Sequence, residues 1–262
     1  MKKISSFVLA FAICVSASAV LKDPKLAMYY SFDDISGKTI KDGSLSGNNG
    51  EIIIDNPDQA DIKFEEGKNG KSIRLDEGVW IKINGAAFNN LPEEGFSLVT
   101  WVNHDDSTDP QSLFDAIGDK HGNGLFHVEI RPAGFRFFHR NDAQKEVFNI
   151  NPGPVIKGKK WHHFAGIYDA ESKNVAIYVD GKKTHEAKTT EAELATNWNV
   201  TAGIGHHKNG RWYKGLLDDF FVFGRSITPQ EIQAIMSGDF ATTNVELSDK
   251  LPVVWGKVKF SF

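Results

Sequence analysis

Short runs that alternate apolar and polar side chains, each closed by Gly, Asn or Asp, constrain most strongly what this chain can fold into. Val79 to Ile83 (VWIKI), Phe126 to Ile130 (FHVEI) and Phe135 to Phe137 (FRF) put every second residue on one side, which is the period of a half-buried strand. Phe96 to Val102 (FSLVTWV) sets Phe96, Leu98, Thr100 and Val102 on one face and Val99 and Trp101 on the other, predicting a strand covered on both sides. In NVAIYVDGKKTHE, Asp180-Gly181 fills a two-residue turn, where glycine accepts the positive φ of a type I′ hairpin. With one helical pattern at most, these strands predict an all-β fold: a two-sheet antiparallel sandwich.

The helical pattern is SITPQEIQAIMSG. Thr228 suits an N-cap, Pro229 the first helical position, and Glu231 stands three residues after Thr228, which completes a capping box. Ile232, Ile235 and Met236 share one face and Gly238 ends the helix, so a short structural helix against the sandwich edge is predicted.

Residues 1–19 have a basic start at Lys2 and Lys3, an apolar run from Phe7 to Val15 and the triplet Ala17-Ser18-Ala19, the layout of a secretory signal peptide cleaved near Ala19-Val20. The apolar run is about half of the ~20 residues that a membrane-spanning helix needs, and no later segment supplies one. The mature chain is therefore expected to be soluble, not transmembrane, and outside the cytoplasm: secreted, periplasmic or at the cell surface. The single cysteine, Cys14, falls inside the leader, so disulfides and thiolate metal sites are excluded from the remainder. Loss of Lys2 and Lys3 takes the formal charge from −4 to −6, and without a basic patch nucleic acid is not an expected partner. Residues 20–238 read as one large all-β domain. The tail, residues 239–262, reads as an edge strand or an attachment segment.

Four stretches, taken in order, resemble the laminin-G-like, concanavalin A-like jelly-roll domains of bacterial secreted and surface proteins. YYSFDDISGKTIKDGSLSGNNGEI resembles that family's opening strand and its Asp-x-Ser-x-x-Gly-Asn-x-Gly turn. GFSLVTWVN resembles its Phe-(Ser/Thr)-x-x-x-Trp-Val strand, and KKWHHFAGIYDAESKNVAIYVDGKKT its Trp-His-His strand and Tyr-Val-Asp-Gly hairpin. GLLDDFFVFGRSITPQEIQAIMSG resembles its closing strand and short terminal helix. The resemblance spans about Ala27 to Gly238 and implies a jelly roll of two curved antiparallel sheets. It also implies a binding or adhesion module for carbohydrate or other proteins, often with a calcium ion tying the first strand to the last.

Adjacent acids recur in YSFDD (Asp33, Asp34) and LLDDFF (Asp218, Asp219). Neighbouring first and last strands would bring Asp33 and Asp218 together, where the two carboxylates repel unless protonated or bridged by a cation. Calcium, which takes six to eight oxygens, suits this acid pair, and carried over by position Asp218 is the closing-strand ligand and Asp33 or Asp34 the opening one. A backbone carbonyl near Gly50 would add to the set. Because successive strand residues point to opposite faces, one aspartate of each doublet is expected to face the clasp and the other away. A solvated strand end is the plainer alternative.

Catalytic patterns are absent. Retaining glycosidases on related folds hold two carboxylates about 5–5.5 Å apart through a Glu-x-Asp-x-x-Glu spacing that this chain lacks, so a glycoside hydrolase is a distant alternative. His162-His163 and His206-His207 are adjacent pairs rather than the i, i+4 ligands of a helical zinc site, and one of His162 and His163 is expected to turn inward and hydrogen-bond. Trp101 and Trp161 lie in strand patterns and are assigned to core packing. The loop VNHDDSTDPQS, with His104, Asp105, Asp106 and Asp109, is a second, weaker cation candidate. The loop GIGHHKNGRWYKG gathers aromatic and polar groups of the kind that stack on sugars and fix their orientation, and its candidate ligand contacts are His206, Arg211, Trp212 and Tyr213. Packing on the sandwich rim is the competing role for Trp212 and Tyr213. The sequence thus points to a non-catalytic lectin-like module, with a protein-interaction or adhesion domain lacking sugar specificity as the alternative.

Overall fold

The computed structural model describes residues 18–55, 61–83, 95–116, 126–194, 202–207 and 210–240. The expected leader and tail therefore lie almost wholly outside the described residues. A four-residue helix, Ser18–Leu21 (α1), leads into strand Leu26–Tyr30 (β1). The strands form two antiparallel sheets, as the alternation and the resemblance both require.

The nine-stranded sheet begins at one edge with Ile35–Ser36 (β2), Thr39–Ile40 (β3), Gly50–Ile54 (β4) and Val79–Ile83 (β7). It continues through Ala202–Ile204 (β16), Gln111–Ala116 (β9), Phe126–Ile130 (β10), Arg136–Arg140 (β11) and Glu146–Ile150 (β12). The eight-stranded sheet runs Lys63–Glu66 (β5), Lys71–Leu75 (β6), Gly215–Phe223 (β17), Gly95–His104 (β8), His162–Asp169 (β13), Asn174–Val179 (β14) and Lys182–Lys188 (β15), with β1 also paired to β17.

Alternating residues of the facing strands make the main core. Val79, Ile81 and Ile83 of β7 and Phe126, Val128 and Ile130 of β10 meet Phe96, Leu98 and Val102 of β8 and Leu217, Phe220 and Val222 of β17. The predicted two-sided cover of β8 is present, because Val99 belongs to a second apolar layer between the eight-stranded sheet and helix Pro229–Ser237 (α2). That layer also holds Leu26, Tyr29, Phe221, Phe223, Ile232 and Ile235. Burying apolar area on both sides of one sheet stabilises it at roughly 25 cal/mol per Å², so β8 and β17 anchor two cores at once. Trp101 is buried on the outward side of β8, whereas Trp161 is half-buried and precedes β13 rather than lying in it.

β17 is the central element. One edge pairs with β8, and the other is shared end to end by two strands: β6 takes Gly215 to Leu217 and β1 takes Phe220 to Phe223. At the junction the register with β8 shifts between Asp218 and Phe221, and Asp219 adopts φ +50. This is a β-bulge, which re-aims side chains where a ladder is interrupted.

The local signals hold in detail. Asp180 and Gly181 both have positive φ (+50 and +73), as a type I′ turn demands. Thr228 Oγ1 accepts the Glu231 N–H while the Glu231 carboxylate accepts the Thr228 N–H, and Gly238 ends α2 in the left-handed region. Thr228→Ala removes the cap and is expected to cost ~1 kcal/mol, read as a fall of roughly 2–4 °C in Tm by thermal unfolding. An unchanged Tm would mean that packing alone holds α2.

Candidate functional site

The side chains of the nine-stranded sheet that point away from the core form the first candidate surface. In β7 the inward Val79, Ile81 and Ile83 leave Trp80 and Lys82 outward, and in β10 the inward phenylalanine, valine and isoleucine leave His127 and Glu129 outward. Register sets a row across this face: Gly203 lies between Lys82 and Asp115, Asp115 opposes His127, and His127 opposes Phe138. Gly203 lacks a side chain where Trp80 lies close, since a Cβ there would stand 3.4 Å from the indole. His206, just after β16, is held between two indoles, with ring centroids 4.8 Å from Trp80 and 4.6 Å from Trp212. All three rings are half-exposed, so Trp80, His206 and Trp212 make an aromatic shelf. Partial burial lowers the His206 pKa, leaving a mostly neutral ring.

Beside the shelf is a buried polar layer. Glu129 is fully buried, yet Arg131 Nη2 (2.5 Å) and Nε (2.9 Å) donate to one of its oxygens and Arg211 Nη1 (2.5 Å) to the other. Arg136 stands 3.7 Å from the same carboxylate while its guanidinium stacks over Phe138. Burial alone would raise the Glu129 pKa, but the hydrogen bond from Arg131 and the charges of Arg131 and Arg211 outweigh it and hold the carboxyl below its usual range. Next to it, Asp115, His127 and His207 bring one ligand-type atom each within 4.8 Å of one another, a group able to hold a metal ion.

Of the predicted ligand contacts, His206 and Trp212 therefore stand on the open shelf. Arg211 is partly exposed, but its guanidinium is engaged by Glu129. Tyr213 is not a surface contact: it is fully buried in the main core, and its hydroxyl donates to the Leu216 carbonyl (2.8 Å). The alternation that exposes Trp212 turns its neighbour inward. Trp80 was the missed residue, and its signal was an indole on the polar side of VWIKI.

The second candidate is the acid clasp at the junction on β17. The turn Gly67-Lys68-Asn69-Gly70, between β5 and β6, is wedged against three carboxylates. Asp218 Oδ2 accepts the backbone N–H groups of Lys68 (2.6 Å) and Asn69 (2.9 Å), and Asp33 Oδ1 accepts that of Lys71 (2.7 Å). Asp219 accepts from the Tyr29 hydroxyl (2.8 Å) and from Asn69 Nδ2 (2.6 Å). The turn admits only glycine at its ends, since a Cβ at Gly67 would lie 2.5 Å from Asp218 and one at Gly70 2.4 Å from Asp33.

The expectation that one aspartate of each doublet turns away fails for the closing pair. The bulge buries both Asp218 and Asp219. Burial, and the charge of Asp219, raise the Asp218 pKa, while burial raises that of Asp219 against its hydrogen bonds, with Asp33 adding to the rise. Asp218 Oδ1 is buried and accepts no hydrogen bond. Asp33 and Asp34 are both exposed, but Asp34 turns away from the clasp to pair with Lys41 (3.0 Å), and Gly50 lies in the opposite sheet, paired with Ile40 and Ile83. The structure thus gathers Asp33, Asp218 and Asp219, but not Asp34 or Gly50. In the loop after β8, Asp105 pairs with Arg74 (2.5 Å), which occupies a carboxylate of the weaker cation candidate.

Comparison with known proteins agrees with this architecture. The sequence profile of the laminin G type described as the Concanavalin A-like lectin/glucanases superfamily matches residues 75–233, more than half of the chain. The chain belongs to this family. Among curated proteins, this concanavalin A-like chain is 25% identical to rat (Rattus norvegicus) usherin over 165 residues, which is 60% of the chain but 3% of usherin. Its fold is similar to domain 4 of AbnA, an extracellular arabinanase of Geobacillus stearothermophilus solved with arabinotriose (TM-score 0.62, 21% identity, 81% of this chain and 98% of that one). It is also similar to the binding domain of Paraclostridial Mosquitocidal Protein 1 (TM-score 0.61, 15% identity, 82% of this chain and 52% of that one).

On the Trp-His-His strand of this concanavalin A-like domain, the two imidazoles differ from expectation. His162, half-exposed, places Nδ1 3.0 Å from Asp180 Oδ2. His163 is the buried ring, edge-on to Trp101 (5.0 Å) on the outward side, and neither of its nitrogens is hydrogen-bonded. Burial therefore pushes its pKa down to about 3, with Asp180 opposing. Because the folded pKa lies below the unfolded value, the unfolded chain takes up the proton first, and stability falls as pH drops from about 6.5 toward 3, by up to ~1.4 kcal/mol per pH unit. His163→Leu is expected to flatten that slope in urea unfolding between pH 6.5 and 4; an unchanged slope would assign the acid sensitivity elsewhere.

Proposed function

We propose that the protein is a secreted, non-catalytic lectin-like module that recognises carbohydrate at the outward face of its nine-stranded sheet, with a calcium ion bridging the strand ends at the acid clasp. The observation that carries the first part is the half-exposed shelf of Trp80, His206 and Trp212. Sugar rings present apolar C–H faces that stack on indoles, while a few fixed polar groups set their orientation. The partly exposed faces of Arg211 and Arg136 supply such groups, held rigid by Glu129. The arabinotriose complex of AbnA domain 4 belongs to that protein and supports the reading by likeness of fold. Secretion rests on the leader-like character of residues 1–19.

The non-catalytic reading of the shelf is supported by the state of Glu129, the buried acid beside it. A glycosidase general acid needs a raised pKa, whereas Glu129 is held ionised by its arginines, with both oxygens engaged. Glycan-array binding with tag-free protein is expected to give carbohydrate ligands, and Trp80→Ala or Trp212→Ala to weaken them about 5–30-fold, for a loss of ~1–2 kcal/mol. No glycan bound, with a surface protein captured instead, would replace this reading by the adhesion one.

Calcium suits the clasp because the donors are hard oxygens and because the buried Asp218 Oδ1 lacks any partner beside two further carboxylates. There the ion would supply positive charge that turns mutual repulsion into attraction. Asp218→Asn keeps an oxygen for the Lys68 and Asn69 N–H groups but removes the charge. Calcium is expected to raise the Tm of the wild type and not of Asp218→Asn, and in excess chelator the variant should be at least as stable as the wild type. A Tm indifferent to calcium and chelator in the wild type would sink the calcium assignment.

A further inference from the structure

Two stacked imidazoles and a carboxylate meet beside the aromatic shelf in a place that neither the shelf nor the acid clasp uses. Asp115 comes from β9, His127 opposite it from β10, and His207 from the segment after β16. His127 Nδ1 lies 3.2 Å from Asp115 Oδ1 without the geometry of a hydrogen bond, and His207 Nε2 lies 4.0 Å from Asp115 Oδ2. The two rings stack at 4.7 Å and 21°, so their planes are nearly parallel, and His207 must swing out of the stack for both rings to aim a nitrogen at one ion. All three residues are buried although they face away from the sandwich core.

We propose that Asp115, His127 and His207 form a binding site for a divalent transition-metal ion of the zinc class, with the fourth position open to water or a ligand. Zinc with donors at 2.0–2.2 Å in a tetrahedron sets them roughly 3.3–3.6 Å apart, and the present atoms, all within 4.8 Å of one another, reach that spacing when His207 rotates toward Asp115 as the ion binds. Two of the three donors are imidazole nitrogens, which favour zinc, copper or nickel over calcium. The surroundings select the same way. Arg131, Arg136 and Arg211 crowd the adjacent Glu129, so a hard cation bound by charge alone gains least here, whereas nitrogen ligation adds a bond that guanidinium repulsion does not cancel.

The proposal is separable from the calcium assignment because the two sites lie on different sheets and prefer different donors. Tag-free protein is titrated with zinc chloride by calorimetry, and with cobalt chloride by visible absorption. One zinc per chain is expected, with a Tm rise of roughly 5–10 °C at a hundredfold excess over Kd, and an intense tetrahedral cobalt band. His207→Gln is expected to lower zinc affinity roughly 100-fold or more, whereas His163→Leu, which removes a buried histidine from the other sheet, leaves it unchanged. Failure to retain stoichiometric zinc, an octahedral cobalt spectrum in the wild type, displacement of zinc by excess calcium, or equal affinity in His207→Gln and the wild type would each overturn the assignment. The cobalt spectrum needs no variant, so the test survives misfolding of His207→Gln.

Discussion

The pairing of β17 along both edges is the constraint on which the rest depends. On one side β8 pairs along its length, interrupted by the bulge between Asp218 and Phe221, but on the other β6 and β1 must share it, each covering one end. Two strands meeting end to end leave a gap where backbone and side chains lack a ladder partner, and buried polar groups must be satisfied by something else. The chain fills that gap with the Gly67–Gly70 turn, whose N–H groups point at Asp218, and with Asn69 and Tyr29, which donate to Asp219. The cost is two buried carboxylates side by side, whose pKa values burial and their neighbours' charges push upward.

The same pairing orders the outward face of the nine-stranded sheet at a distance. By fixing β8 and β17 it sets the inner wall against which the nine-stranded sheet packs. With its inward residues committed to the core, every second side chain of that sheet is left pointing outward. Some polar groups there are nonetheless buried, and Glu129 survives burial because its arginines satisfy both oxygens. Aromatic and charged groups thus end side by side, the shelf open and the polar layer beneath.

Much of the architecture was readable from local pattern. Period-two runs, the Asp180-Gly181 turn and the Thr228–Glu231 capping box describe relations between residues a few positions apart, and the structure reproduces them, except that β10 is buried on both faces rather than half-buried and the strand read from Phe135 begins at Arg136. The site was only partly readable. His206 and Trp212 stood out because aromatics cluster in one loop, but Tyr213 came with them and proved to be core. The closing aspartates were noticed, yet strict alternation sent Asp219 to the wrong side. A positive φ at a non-glycine residue is a local departure that period-two reasoning has no means to foresee.

By itself, the sequence determined the strand periods, the helix with both its caps, and therefore an all-β sandwich, since these follow from the backbone geometry of near neighbours. Only the tertiary structure decided that Trp80 lies over Gly203, that Asp33 reaches the same turn as Asp218, and that Asp115, His127 and His207 share one patch. Each of these depends on which strands are neighbours and in what register. Register is set by the collective packing of two sheets and the closure of long loops, so it belongs to no single stretch of chain.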